Sequence, residues 1–131
     1  MGERVVVICE DEGVSEFLRL VLQSAAYEVL MARSLEEADS LMGEHPPAVA
    51  ILDLPSEHPF GSDLPSLEKA ALWRQQHTKV PVILLAGDLT SSAVSTARIV
   101  FDVVLPRYAP DVDRLLSSTA ELVARGRPSS A

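Results

Sequence analysis

The chain has 131 residues, 47% of them apolar, with 19 acidic and 11 basic residues and a formal net charge of −8. That length suits one domain with one core, the apolar share argues against disorder, and the negative charge offers little to a phosphate backbone, which is bound through Lys and Arg. One cysteine, Cys9, rules out a disulfide framework, the N-terminus has no charged-then-apolar leader, and no apolar run approaches the ~18 residues of a membrane span, so a cytoplasmic protein is expected with no direct nucleic-acid or membrane contact.

The first expected element is a short apolar strand, about Arg4–Cys9, that ends in the acidic triplet Glu10-Asp11-Glu12. Within it Cys9 reads as a small core residue rather than a nucleophile. Val14, Phe17, Leu18, Val21 and Leu22 then fall at i, i+3, i+4, i+7 and i+8, the stripe of an amphipathic helix, and Phe17 is expected to pack inward. A second strand, Tyr27–Ala32, leads to Ser34-Leu35-Glu36-Glu37, a capping box that opens a helix burying Leu35, Ala38, Leu41 and Met42.

Pro46-Pro47 breaks the chain before a third apolar run, Ala48–Asp53. A long loop from Leu54 to Pro65 carries Pro55, Pro59, Phe60 and Gly61, enough to cover a site or meet a partner. The next helix, about Ser66–Gln76, sets Leu67, Ala70, Ala71 and Trp73 toward the core. Val80–Ala86 is a fourth strand, and Gly87-Asp88 turns into a helix near Thr90–Val100. Asp102–Leu105 is a fifth strand. Pro110 suits the first turn of a last helix, whose stripe is Val112, Leu115, Leu116, Thr119, Leu122 and Val123. Residues 1–124 are expected to form the domain and 125–131 a flexible tail. His45, His58 and His77 lack ligand spacing and are expected at the surface.

Five continuous apolar strands alternating with five helices predict an α/β fold, a doubly wound five-stranded parallel sheet covered on both faces. In such sheets ligands bind beyond the carboxyl ends of the strands. Glu10, Asp11, Asp53, Gly87 and Arg107 all follow strand ends. Three carboxylates meeting at one edge repel unless a cation sits among them, which points to a Mg²⁺ site built around Asp53. The bland alternative for the triplet is a solvated acidic turn at a helix N-terminus.

Val7-Ile8-Cys9-Glu10-Asp11-Glu12, Ile51-Leu52-Asp53-Leu54, Pro81-Val82-Ile83-Leu84-Leu85 and Leu105-Pro106-Arg107 together resemble the receiver domain of two-component response regulators, over about Val5 to Val123. The resemblance implies flavodoxin-like (receiver) topology. It implies a weakly held Mg²⁺ on Glu10, Asp11, Asp53 and the Pro55 carbonyl. It makes Asp53 the acceptor of a phosphoryl group from a histidine kinase or another signalling protein. It puts Ala86 at the switch position, the Gly87 backbone N–H beside it as a donor, and Arg107 where the family carries a lysine.

Four departures from the family stand out. Ala86 replaces a hydroxyl residue, Arg107 replaces lysine, Tyr108 replaces proline, and Val104 holds the place of an aromatic residue. The phosphoryl site is largely retained while the usual hydroxyl–aromatic readout is missing. The leading expectation is an atypical receiver, not an enzyme in the turnover sense, that is a monomer or a weak homodimer. The runner-up is a pseudo-receiver that binds its partner irrespective of phosphorylation, keeping its acids for stability or specificity. A small carboxylate-based phosphotransfer or hydrolytic enzyme is the third reading, and no Gly-rich phosphate cradle supports it.

Overall fold

A computed structural model describes residues 3–54, 64–87, 91–106 and 111–126. In chain order the elements are β1 (Arg4–Ile8), α1 (Glu12–Ser24), β2 (Glu28–Ala32), α2 (Leu35–Glu44), β3 (Val49–Leu54), α3 (Leu64–Gln76), β4 (Val82–Ala86), α4 (Ser91–Val100), β5 (Val103–Pro106) and α5 (Val112–Gly126). The five strands form one sheet in the order β2-β1-β3-β4-β5, parallel throughout. This is the doubly wound sheet expected from the alternation, with β3 at its centre.

Alternate side chains of each strand go to opposite faces, and the two faces carry separate cores. Val5, Val7, Val49, Ile51, Ile83, Leu85 and Leu105 pack against Leu18 and Leu22 of α1 and Leu115, Leu122 and Val123 of α5. Val6, Ile8, Ala50, Leu52, Val82 and Leu84 pack against α2, α3 and α4 through Ala38, Met42, Ala70, Trp73 and Ala97, and against Phe101 just after α4. Such two-sided burial is why the strands are apolar at every position rather than at every second one.

Local signals fix the helix ends. The Ser34 hydroxyl accepts from the Glu37 N–H at 3.0 Å, the first half of the expected capping box. Pro65 falls in the first turn of α3, where a missing N–H costs nothing, so that helix begins at Leu64 rather than Ser66. The last helix runs two residues past 124, and Arg125 meets Glu121 at 2.9 Å.

Helix α1 closes on a Schellman turn: Tyr27 N–H donates to the Leu22 carbonyl at 3.1 Å and Ala26 N–H to Gln23 at 3.0 Å. That turn needs a left-handed residue, and Ala26 takes φ 68° despite its Cβ. Ala26→Gly should therefore stabilise the protein by about 0.5–1 kcal/mol in urea unfolding. A loss of stability there would contradict this geometry.

Two expectations are corrected. Phe17 is 37% exposed. It lies about 100° around the helix from buried Leu18, outside the narrow stripe that touches the sheet. His77 is not a surface residue but is half-buried. Its Nε2 lies 2.7 Å from Asp39 Oδ1, and its ring centroid is 4.6 Å from that of Trp73. The Trp73 indole N–H also donates to Asp39 Oδ1, at 2.8 Å, so one carboxylate ties α2 to the end of α3.

Candidate functional site

The strand register decides what stands beside Asp53. β1 and β3 pair as Val5↔Val49, Val7↔Ile51 and Ile8↔Leu52, so the next partners in line are Cys9 and Asp53. The Cys9 N–H extends the ladder on the other side, donating to the Ala32 carbonyl at 2.9 Å. Cys9 continues the Val5–Val7 face and Asp53 the Val49–Ile51 face, so both project toward the α1–α5 layer.

There the Cys9 thiol donates to Asp53 Oδ2 at 3.2 Å and lies 3.4 Å from the Asp11 carbonyl. Asp53 is 6% exposed and Cys9 3%, and the Ser15 hydroxyl donates to the Cys9 carbonyl at 3.4 Å. The thiol is pushed up to about 11. Burial does most of this, the Ser15 hydroxyl works against it, and the Asp53 charge adds to it. At neutral pH Cys9 is therefore a protonated donor rather than a thiolate.

The acidic triplet takes a different course. Glu10 falls on the opposite parity from Cys9 and is exposed. Asp11 lies beyond the strand and is the N-cap of α1: its Oδ1 accepts from the Val14 N–H at 3.1 Å, and its carbonyl accepts from the Ser15 N–H at 2.8 Å. Glu12 pairs with Arg33 at 2.9 Å across to the end of β2. Glu10, Glu12 and Arg33, with Cys9, Glu16 and Arg19, line a groove of about 430 Å³. The Asp11 side chain thus satisfies an orphan N–H at a positive helix end.

Among the described residues, no three His, Cys, Asp or Glu side chains gather closely enough to hold a metal ion. Mg²⁺ demands near-octahedral oxygen ligands, and the group set directly across from Asp53 is a thiol. Of the expected ligands, Glu10 is exposed, Asp11 caps α1 and Asp53 is buried against the Cys9 thiol. Pro55, Arg107 and Tyr108, and with them the Pro55–Gly61 part of the loop, lie outside the described residues, as does His58.

Ala86 and Val104 lie near the carboxyl ends of β4 and β5. Ala86 is 8% exposed in the core on the α2–α3–α4 face, with Val104 packed against that same cluster. Ala86 pairs with Leu54, and Leu85 with Asp53, so β4 brings only apolar side chains to this edge. Gly87 follows, half-buried.

Sequence reasoning passed over Cys9 as a site residue. The signal that finds it is the β1–β3 register, which the sequence does not mark because Val5, Val6 and Val7 are all buried; once it is set, position 9 falls across from position 53.

No protein-family model and no curated protein matches the sequence. Solved structures do match. A chain from Chloroflexus aurantiacus, assigned as a response regulator, superposes with a TM-score of 0.73 at 25% identity, over 95% of this chain and 100% of that one. The receiver domain of the Francisella response regulator 1452 gives 0.75 at 20% identity, over 96% and 100%. NtrX from Brucella abortus gives 0.75 at 19% identity, and there the match covers 96% of this chain but only 28% of NtrX. Among the described residues no helix is long and apolar enough to cross a membrane.

Proposed function

We propose, for a chain that has the receiver fold of response regulators, that it is a two-component signalling module which works by docking on a partner protein, without needing phosphoryl transfer to Asp53. One observation carries this reading: the neighbour of Asp53 across the β1–β3 register is the protonated Cys9 thiol, at 3.2 Å. A carboxylate that attacks phosphorus must meet a highly charged donor, and cation shielding is the usual remedy for that repulsion. Here the acids that would supply the cation site are turned to other work, Asp11 to capping α1 and Glu10 to solvent. What further supports the reading is that Ala86, and Val104 packed against the same cluster, carry neither a hydroxyl nor an aromatic ring with which to report a phosphoryl group's arrival. A histidine kinase or another signalling protein remains the class of partner that the fold suits.

The test is intact mass after incubating wild type and Asp53→Ala with Mg²⁺ and acetyl phosphate. Neither protein should gain mass. A phosphoryl-sized gain on wild type that is lost in Asp53→Ala would overturn the reading. It would establish instead the second one, an atypical receiver with Asp53 as phosphoacceptor. What favours that second reading is position: Asp53 is a buried carboxylate at the carboxyl end of the central strand, where doubly wound sheets bind their ligands.

A further inference from the structure

We propose that Cys9 is the residue that keeps this edge of the sheet from holding a divalent cation, and that a carboxylate at position 9 alone creates the cation site. The inference deepens the preceding reading and rests on the same thiol–carboxylate contact. β1 and β3 are locked by a parallel register and by burial on both faces, so position 9 stays across from position 53 whatever side chain it carries. The two side chains already meet on the same face at hydrogen-bond distance. What is missing is oxygen chemistry. A protonated thiol is a poor partner for Mg²⁺ or Mn²⁺, whereas carboxylates are their preferred protein ligands.

None of the three acids of the triplet stands across from Asp53 as position 9 does, and Glu12 is paired with Arg33. Glu10 stands in the bend after β1, exposed and lining the groove beside Cys9, and Asp11 is one step further on, as the N-cap of α1. Cys9→Asp would set a second carboxylate against Asp53 with the Asp11 carbonyl close by, at the place where the thiol now lies 3.4 Å from it. Two carboxylates so close repel, and a cation between them removes that repulsion. Cation binding by the folded form must then raise its stability by mass action.

The experiment is Mg²⁺ and Mn²⁺ titration of wild type, Cys9→Asp and Cys9→Asn, by calorimetry and by the shift in Tm. Cys9→Asp should bind Mg²⁺ at least about tenfold more tightly than wild type, in line with the usual effect of changing a group in or beside a metal site. Its Tm should rise with Mg²⁺ while that of wild type stays flat. Adding Asp53→Asn to Cys9→Asp should abolish the gain. If repulsion leaves Cys9→Asp unfolded, it should fold on adding Mg²⁺. Cys9→Asn, which supplies a carbonyl oxygen without charge, should show a smaller gain in the folded state.

Equal Mg²⁺ affinity in wild type and both variants would overturn the proposal, as would an unfolded Cys9→Asp that Mg²⁺ does not rescue together with a folded Cys9→Asn that binds no better than wild type. The two readings fail separately. A wild type that gains phosphoryl mass, with affinity rising in Cys9→Asp, sinks the proposed function alone. An unphosphorylated wild type, with affinity unchanged in the variants, sinks this inference alone.

Discussion

Trp73→Ala should lower the free energy of unfolding by about 3–5 kcal/mol, enough to leave a domain of this size near the edge of stability. The indole is 3% exposed and fills the space between α3 and the sheet in the cluster that holds Ala38 and Met42. Its N–H is also a buried donor satisfied by Asp39 Oδ1. Truncation would open a cavity and take one of two partners from a carboxylate that still holds His77. Trp73→Phe separates these effects, since it keeps most of the apolar body and loses only the N–H; it should cost about 1–2 kcal/mol. Urea unfolding followed by circular dichroism is the right measurement, because Trp73 is the chain's one tryptophan and its fluorescence disappears with it. A loss below about 1 kcal/mol for Trp73→Ala would mean that α3 does not pack as described.

Wild type should also lose stability between pH 9 and 11 in a way that Cys9→Ala does not. The thiol releases its proton at 9.0 in ordinary surroundings and at about 11 in the folded protein. Across that window the unfolded chain gives up the proton while the folded one keeps it, so rising pH favours unfolding. Below pH 9 both states are protonated and the thiol's contribution is fully present. Above 11 it is lost. The stability gap between wild type and Cys9→Ala should therefore shrink by about 2–3 kcal/mol on going from pH 8 to pH 11. Taking the difference between the two proteins cancels the lysines and tyrosines that titrate over the same range. A gap that stays constant with pH would show that Cys9 is not buried against Asp53.

The sheet was legible because burial on both faces writes itself as unbroken apolar runs. Val5–Ile8, Val49–Leu52 and Val82–Leu85 need no partner to be recognised, and the turn residues after them place Asp53 at an edge. What the runs leave unmarked is parity. With both faces apolar, nothing in Val-Val-Val-Ile-Cys says which residues share a face with Asp53, and three acids in a row look interchangeable. Only the folded chain distinguishes them: the β1–β3 register leads to Cys9 across from Asp53, while Glu10 is exposed in the bend that follows and Asp11 is the N-cap. Ala26 was hidden for a related reason: a left-handed turn is announced by glycine, and alanine gives no such sign. His77 was misjudged because its partner, Asp39, is 38 residues away on α2.

The central claim is the thiol–carboxylate pair itself, and the chain's single cysteine makes it directly observable. The infrared S–H stretching band of wild type should be displaced to lower frequency, as for a thiol donating to a carboxylate, and should return toward the free-thiol position in Asp53→Ala. A wild-type band already at the free-thiol frequency, or one that Asp53→Ala leaves unmoved, would contradict the arrangement on which the proposed function and the missing cation site both depend.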